Sequence, residues 1–447
     1  MSRCIFVMLV SVFPVLLCSA SEHQPAVAPV QKQPASVTSP AEAVRQTAQK
    51  VTAYSLPPEL YQKAHDRRRT HFRLELLSFF YGLFALWLIL RLKLSAKYRD
   101  WAERVSSRQV LQACVFVPLF VVTLAVLTLP SDIYGQMVEK RFGISIQGWS
   151  SWAGDWAAEL MVSLILATVF TWILYAVIRK SKQRWWFYFW LASLPLVVLV
   201  TFITPLVIDP LFHKFEPLQK KDPALVMALE QVELRAGVDI PPERMFWMNA
   251  GEKTIALNAY VTGIGQSKRI VIWDTTLAKL DTPQIVFTVG HETGHYVLQH
   301  ALKGIAVAAA LYFALFYAGY RLAKWVVGRW GGNWGVRSLD DWASLPVLVL
   351  LLSMLQFVSN PALTAYSRFA EHQADQFGLE VTHGLTPEAG QVAAQTFQTM
   401  GEVNLADPDP NPLDVFLFFE HPRIRDRVAF CLAYDPWSRG GAGEFIK

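Results

Sequence analysis

Long apolar blocks constrain this chain more than any other feature of its sequence. Six such blocks cover about 72–94, 110–129, 160–178, 185–208, 304–320 and 342–358. The second, third and fourth contain no Asp, Glu, Lys or Arg. Each is close to the ~20 residues that an α-helix needs to cross the hydrocarbon core of a bilayer. The sequence therefore predicts a polytopic, mainly α-helical membrane protein with six spans.

The composition agrees with this prediction and excludes other classes of protein. Hydrophobic residues make up 53% of the chain and charged residues only 17%, against ~25% in soluble domains. A disordered, collagen-like or small disulfide-stabilised protein is excluded. The cysteines form no CxxC pair or disulfide pattern; they are Cys4, Cys18, Cys114 and Cys431.

The first residues have the organisation of a secretory leader. Arg3 precedes a short apolar core over 5–17, and Ser19 and Ala20 offer a small-residue cleavage site. We expect 1–20 to be a signal sequence, with an uncleaved signal anchor as the alternative. Residues 21–58 are rich in Ala, Pro, Gln, Ser and Val, which predicts a disordered tether.

Basic residues concentrate in three loops between the spans, and their position predicts the orientation. They are Arg91, Lys93, Lys97, Arg99, Arg104 and Arg108; Arg179, Lys180, Lys182 and Arg184; and Arg321, Lys324, Arg329 and Arg337. Positive-inside counting places these loops in the cytoplasm, although Arg67, Arg68 and Arg69 oppose it. The polar segments would then face the other side, which is the periplasm in a bacterium. Topology and lipid contact account for the basic clusters, and nucleic-acid binding has no support.

The spans divide the chain into five parts after the leader. The tether over 21–58 precedes a transmembrane bundle over 59–208. A first polar segment over 209–303 and a second over 359–447 are separated by a transmembrane hairpin over 304–358. We expect the two polar segments to form one catalytic domain, because candidate catalytic residues lie on both.

The motif HETGH lies in an amphipathic stretch over 281–300 that predicts a helix with Thr282 as N-cap and Pro283 in its first turn. His291 and His295 are four residues apart and therefore share one helix face. This is the H-E-x-x-H pattern, with two zinc-binding histidines and Glu292 as general base. Two surface histidines beside a glutamate are the alternative.

Two later segments carry residues that would complete such a site. Glu371 and Asp375 are four residues apart in a helical stretch, which suits one carboxylate on the metal and another orienting a ligand histidine. His421 and Arg427 near the C-terminus would stabilise the oxyanion that forms when water adds to a carbonyl. A solvated helix face and a surface turn are the alternatives for these two pairs.

With these residues the chain resembles the type 1 CAAX prenyl endopeptidases, which are zinc-dependent and membrane-embedded. The matching segments, in family order, are LPPEL (56–60), VEKRFG (138–143), IDPLFHKFEPL (208–218), NAY (258–260), KRIVIWDTTL (268–277), HETGH (291–295), EHQAD (371–375) and HPRIRDR (421–427). The resemblance covers about 55–430. It implies a helical bundle around an internal chamber, capped at the membrane face by a zincin-type domain with a small β-sheet.

The resemblance also implies a role for each matched residue. One Zn²⁺ per chain would be held by His291, His295 and Glu371, with Glu292 as the base and Asp375 behind the ligands. His421 and Arg427 would assist substrate and transition state. An edge strand would carry Asn258, Ala259 and Tyr260 and pair with an extended peptide substrate, and 263–268 would turn into the next strand, over 269–273.

Three departures from the family leave the substrate open. The family usually has seven spans, whereas six are predicted here after the leader. An uncleaved leader would be the first of seven helices. Thr293 replaces the leucine of the commoner HELGH, at a position that binds no metal. The family's eukaryotic members face the cytosol, whereas the leader and charges here are typical of an outward-facing bacterial protein, and bacteria lack protein prenylation.

Competing interpretations remain, and some histidines are set aside. The alternatives are a quality-control zinc protease of the same clan, an intramembrane protease, which the polar HETGH helix disfavours, and a catalytically silent scaffold or transporter. His300 is five residues past His295 and is predicted to point elsewhere; His213, His372 and His383 are likewise not expected to bind metal. We expect a peptide or membrane-associated protein as substrate. The oligomeric state stays open, and a monomer is compatible with the sequence.

Overall fold

A computed structural model describes residues 50–203, 209–263 and 267–447. The predicted signal sequence and most of the predicted tether lie outside these residues. The prediction of a disordered tether is wrong for residues 50–57, which pack against the C-terminal part of the chain. Val51, Tyr54 and Leu56 join an apolar cluster there, and the Tyr54 hydroxyl donates to the Ala406 carbonyl at 2.8 Å. Hydrogen bonds between Ser55 and Gln398 hold the same segment.

The N-terminal half is a series of long helices. They are α1 (Pro58–Arg91), α2 (Leu94–Val105), α3 (Gln109–Phe142), α4 (Trp149–Lys180) and α5 (Trp185–Ile203). The C-terminal half contains α6 (Pro223–Ala236), α7 (Asp274–Lys279), α8 (Thr282–Val297), α9 (His300–Trp334), α10 (Leu345–Thr382), α11 (Ala389–Val403), α12 (Pro412–Phe418) and α13 (Ile424–Ala433). Single 3₁₀ turns lie at Asp209–Leu211, Leu218–Lys220, Pro242–Arg244, Ala250–Glu252, Trp342–Ser344 and Trp437–Arg439.

Five helices of the described residues are long and apolar enough to cross a membrane, namely α1, α3, α4, α9 and α10. The prediction of a polytopic helical protein is confirmed. The remaining predicted span, the fourth in chain order (185–208), corresponds to α5, which is apolar but shorter, and 204–208 lie outside the described residues. Some long helices continue past their apolar blocks. The end of α10, for example, extends beyond 358, and its polar residues Glu371 and Asp375 are buried inside the protein.

The bundle is held by large side chains that are fully buried between α3, α4 and the start of α10. Phe116 and Phe120 of α3 stack on each other, and Phe116 also stacks on Trp342. The hydroxyl of Tyr175 on α4 lies 2.7 Å from that of Ser344, so its polar end is satisfied inside the core. Apolar side chains on the outer faces of the long helices remain exposed, as expected for surfaces in contact with lipid.

A small sheet lies in the polar segment between α5 and α8. Its strands are β1 (Phe215–Pro217), β2 (Met245–Met248), β3 (Ala259–Thr262) and β4 (Arg269–Trp273), in the order β1-β2-β4-β3. β2 and β4 are parallel, and both outer pairs are antiparallel. β3 is therefore an edge strand, and it packs against α8.

The helix that carries HETGH begins differently from the prediction. Asp281, not Thr282, is the N-cap: its carboxylate accepts from the Gln284 N–H at 3.0 Å, and the Gln284 side chain accepts from the Asp281 N–H at 3.1 Å. This reciprocal capping box satisfies two N–H groups, whereas a cap at Thr282 would place Ile285, which has no acceptor, at the third helical position. Pro283 lies in the first turn, as predicted.

Candidate active site

Three side chains on two helices bring potential metal ligands together. His291 and His295 of α8 place their Nε2 atoms 3.1 Å apart. The Glu371 carboxylate of α10 lies 3.4 Å from Nε2 of His291 through Oε2 and 3.3 Å from Nε2 of His295 through Oε1. In the part of the chain that the structure describes, these residues form the group whose ligand atoms converge for a metal ion.

The spacing and chemistry of these atoms fit a small tetrahedral cation. Ligands at ~2.0–2.1 Å from a tetrahedral zinc ion are about 3.3 Å from one another, close to the distances in this site. Glu371 Oε2 is buried without a hydrogen-bond partner, which is costly unless another group satisfies it. Two imidazoles and one carboxylate are also the protein ligands of a known class of catalytic zinc sites.

Glycines allow α8 and α10 to approach closely enough for this arrangement. A Cβ at Gly294, inside HETGH, would lie 2.9 Å from the Phe377 Cβ, and one at Gly290 would lie 2.8 Å from a Val381 methyl. A Cβ at Gly378 would lie 3.2 Å from the backbone nitrogen of His291. The contact leaves no space for side chains at these three positions, so the ligands of both helices face one point.

Asp375 occupies the position behind the ligands that the sequence predicts. Its Oδ1 lies 2.9 Å from Nδ1 of His291, the ring nitrogen that faces away from Glu371. The Asp375 side chain is 1% exposed, and Arg427 donates to both of its oxygens, at 2.9 and 2.6 Å. A carboxylate held in this way fixes the tautomer and orientation of the histidine ring.

Arg427 is paired with the carboxylates of the ligand cluster. Its guanidinium forms a bidentate pair with Asp375 and places Nη2 3.4 Å from Glu371 Oε2. Only 8% of its side chain is exposed, and it rests on the Phe397 ring. Arg427 is thus committed to two carboxylates that would otherwise lie buried without a countercharge, and its contact with an oxyanion stays a prediction.

His421 is open to solvent at the edge of the cluster. Its Nε2 lies 3.4 Å from Glu371 Oε1, and 41% of its side chain is exposed. Two arginines bind the segment over 414–419, just before His421. Arg368 donates to the carbonyls of Val415 and Phe419, at 3.2 and 2.5 Å, and Arg68 of α1 pairs with the buried Asp414.

Arg68 supports the segment before His421, and its sequence context gives no sign of this role. In the sequence it belongs to a basic triplet that opposes the predicted orientation. In the structure its Nε donates to Asp414 at 2.5 Å, and its guanidinium lies 4.9 Å from the Phe419 ring centre. The signal was the lone acid Asp414 in an apolar helical segment, but its partner lies about 350 residues earlier and no sequence rule connects the two.

Glu292 points to the same cluster from α8. One of its carboxylate oxygens lies 3.9 Å from Nε2 of His291, and 22% of its side chain is exposed. Removal from water raises the pKa of the Glu292 carboxyl, and the neighbouring His291 and His295 oppose this shift. A partly exposed carboxylate next to the three ligands is in place to exchange a proton with water.

The predicted substrate-binding segment lies at the edge of the sheet. The edge strand β3 begins at Ala259, so Asn258 lies directly before it. Ala259 and Tyr260 pair with β4 on one side, and no described strand pairs with the other side. The next strand covers 269–273. The predicted turn over 263–268 lies partly outside the described residues.

The histidine predicted to point away is the one that the structure brings to the site. Nδ1 of His300 lies 3.0 Å from Nδ1 of His295. The prediction treated 281–300 as one helix, but α8 ends at Val297 and a new helix begins at His300. His372 packs on Phe430 and His383 stacks on Trp437, so neither joins the cluster.

Comparison with known proteins agrees with this fold and identifies the family. Residues 219–434 match peptidase family M48, and residues 41–214 match the CAAX prenyl protease N-terminal family of five membrane helices. An uncharacterized metalloprotease, YhfN of Bacillus subtilis, is 36% identical over 78% of this chain and 81% of its own. The human CAAX prenyl protease 1 homolog is 25% identical over 79% of both chains.

A solved structure shows the same fold over nearly the whole length. The crystal structure of S. mikatae Ste24p superimposes with a TM-score of 0.73 and covers 97% of this chain and 98% of that one, at 19% identity. The similarity of the two chains therefore extends across both the bundle and the polar segments. The family matches and the convergent ligands lead to one assignment: the chain belongs to peptidase family M48 and is a membrane-embedded metalloprotease.

Proposed function

We propose that this metalloprotease is a zinc-dependent endopeptidase in which His291, His295 and Glu371 hold the ion. The observation that carries the proposal is the convergence of these three ligand atoms beside Glu292. A zinc ion bound there would lower the pKa of water to about 7 and polarise a substrate carbonyl. No fourth side chain belongs to the ligand group in the described residues, in keeping with a position kept for water or substrate.

Glu292 is the proposed general base. Its carboxylate would accept the proton of the attacking water and later deliver it to the departing amine. Its raised pKa supports this role, because a base works best when its pKa approaches the working pH. His421, exposed beside Glu371, would donate a hydrogen bond to the oxyanion, while Asp375 and Arg427 hold the ligands.

The substrate would bind as an extended peptide along β3. This edge strand packs against α8, and an unpaired edge offers backbone N–H and C=O groups to a peptide. Asn258 is placed at the start of the edge, with Ala259 and Tyr260 following it. The Trp273 N–H and the Thr276 hydroxyl both donate to the Asn258 carbonyl, which supports the segment from behind.

We further propose a location in a bacterial inner membrane, with the site facing the periplasm. The leader, the three basic loops and the similarity to the Bacillus subtilis relative support this proposal. The substrate would then be a membrane-associated peptide or protein, without a prenyl group. Several relatives are named CAAX prenyl proteases, and the internal chamber that the resemblance implies stays a prediction.

The test is a paired measurement on the purified full-length protein in detergent. Wild type and Glu292→Gln are compared for zinc per chain and for cleavage of a mixed peptide library. We expect about one zinc in both proteins, with cleavage lowered about 10²–10⁴-fold in the variant, the usual contribution of a general base. Glu243→Gln, at an exposed position far from the cluster, is the matched control and should cleave like wild type.

The outcomes separate the candidate functions. Wild type that binds no zinc, or Glu292→Gln that keeps full activity, would contradict the proposal and favour a catalytically silent scaffold. Efficient cleavage of unfolded proteins without preference for a defined bond would favour the quality-control protease of the same clan.

A further inference from the structure

We infer that His300 is a positioning residue of the metal centre, which accepts a hydrogen bond from His295 and thereby holds the second ligand ring in its binding orientation. The inference rests on the proposed metal site. It concerns a residue outside HETGH, outside EHQAD and outside the C-terminal histidine segment.

The geometry around His300 forms a chain of polar contacts that leads away from the metal ligands. Its Nδ1 lies 3.0 Å from Nδ1 of His295, and its Nε2 lies 3.2 Å from Oε1 of Gln373 on α10. The two imidazole planes are at 75° to each other. The His300 side chain is buried, so water does not replace these partners.

The protonation states along this chain follow from metal binding. His295 directs Nε2 to His291 and Glu371, and a nitrogen that ligates a metal carries no hydrogen. In a neutral imidazole the hydrogen is then on Nδ1, which must donate to an acceptor. His300 Nδ1 is that acceptor, so the hydrogen of His300 is on Nε2 and is donated to Gln373.

The two ligand histidines are thus supported by different chemistry. His291 relies on the carboxylate of Asp375, which Arg427 neutralises. His295 relies on a neutral imidazole that ends on an amide, which adds no charge near the ion. Both supporting residues of α10, Gln373 and Asp375, lie within four positions of the ligand Glu371, so one helix segment orients the whole set.

The backbone adopts an energetically unfavourable conformation directly before His300. On a continuous helix, a residue five positions after His295 would lie ~140° around the axis from it. Instead the chain turns at Gln299, which has a φ of 58° in the left-handed region. Such a conformation costs on the order of 1–2 kcal/mol for a residue other than glycine and persists where surrounding contacts require it. The Tyr366 hydroxyl donates to the His300 carbonyl at 3.0 Å and secures the turn.

The experiment follows zinc and does not depend on activity. Purified full-length proteins are loaded with zinc, and the rate of zinc transfer to a colorimetric chelator is measured. We expect His300→Leu to release zinc about 10–100-fold faster than wild type, because removing such a partner usually lowers metal affinity by that factor. His300→Asn should stay close to wild type, because its amide oxygen can accept where Nδ1 does.

Two further variants control for packing. Gln373→Leu keeps the His300 imidazole and removes its acceptor, and it should also release zinc faster than wild type. His383→Leu is the matched histidine control: this residue stacks on Trp437, away from the cluster, and should not change the rate.

The outcomes distinguish this inference from the proposed function. If wild type never binds zinc, the proposed function fails. If wild type binds zinc and both His300→Leu and Gln373→Leu release it at the wild-type rate, only the inference is overturned. If His300→Asn releases zinc as fast as His300→Leu, the hydrogen bond is not what positions His295, and the inference is likewise overturned.

Discussion

Thr293, the third residue of HETGH, points away from the metal ligands and into the protein. Its hydroxyl donates to Glu233 of α6 at 2.6 Å, and both side chains are buried. Glu233 Oε2 has no hydrogen-bond partner among the described residues. Burial raises the pKa of the Glu233 carboxyl to about 7, while the bond from Thr293 and the charge of Lys268 act against the shift. The threonine that replaces the family's leucine therefore has a specific partner.

This residue pair predicts a pH dependence of stability. An acid whose pKa is higher in the folded state binds more protons there, so the free energy of unfolding falls as pH rises from about 4.5 to about 7. The loss amounts to about 3 kcal/mol at ~1.4 kcal/mol per pKa unit. Glu233→Gln should abolish this decrease in the free energy of unfolding with rising pH. The measurement is the unfolding temperature of wild type and variant across this range, and parallel curves would contradict the prediction.

At the scale of elements, the site depends on how closely α8 and α10 pack. Each helix supplies ligands, and neither could form the cluster alone. The contact leaves no space for a side chain at Gly290, Gly294 or Gly378. Gly294, at the second variable position of the H-E-x-x-H pattern, is thus explained by helix packing and not by metal chemistry.

Gly378→Ala tests this packing. The added Cβ would lie 3.2 and 3.3 Å from the backbone nitrogen and Cα of His291, and backbone atoms cannot move aside without carrying the ligand with them. We expect a loss of about 1–3 kcal/mol, typical of an overpacked core, together with faster zinc release. Gly328→Ala in α9, where nothing lies within 4 Å of the added atom, should be as stable as wild type or more so. Equal behaviour of the two variants would show that the close approach is not needed.

At the scale of the whole molecule, two of the three arginines that oppose the proposed orientation are paired with carboxylates. Arg67 pairs with the buried Glu139 at 3.3 Å, and Arg68 pairs with Asp414 and, at 3.1 Å, with Glu75. These two cations are neutralised inside the protein, whereas Arg69 is exposed. Cations of the basic loops are paired as well, for example Arg99 with Asp341. The proposed orientation therefore still rests on the number of basic residues in the three loops.

Cysteine labelling of intact bacterial cells checks this orientation. In a background without the native cysteines, Lys220→Cys should react with a membrane-impermeant maleimide that has access to the periplasm. Gln183→Cys, in the basic loop between α4 and α5, should react only after lysis. Both positions are exposed in the structure, so accessibility within the protein does not decide the result. The reverse pattern would place the site in the cytoplasm.

The sequence predicted the features that depend on local spacing or on composition. The spacing of HETGH places two histidines on one face of a helix, with a glutamate beside them. Glu371 and Asp375 are also four residues apart, which places both carboxylates on one face of a second helix. The spans are predictable because a bilayer leaves a long apolar helix few alternatives. The order of residues 50–57 could not be predicted, because it depends on a hydrogen-bond partner about 350 residues away in the sequence.

By itself, then, the sequence determined the membrane-embedded helical class, and it predicted the ligand set and the base that we propose. The tertiary structure alone decided which residues support them: Arg427 behind Asp375, Glu233 behind Thr293, and His300 behind His295. The physical reason is that ligand spacing is a property of a single helix, whereas a buried polar group takes its partner from whatever element packs against it. A single left-handed residue, Gln299, was enough to reverse the predicted direction of a histidine.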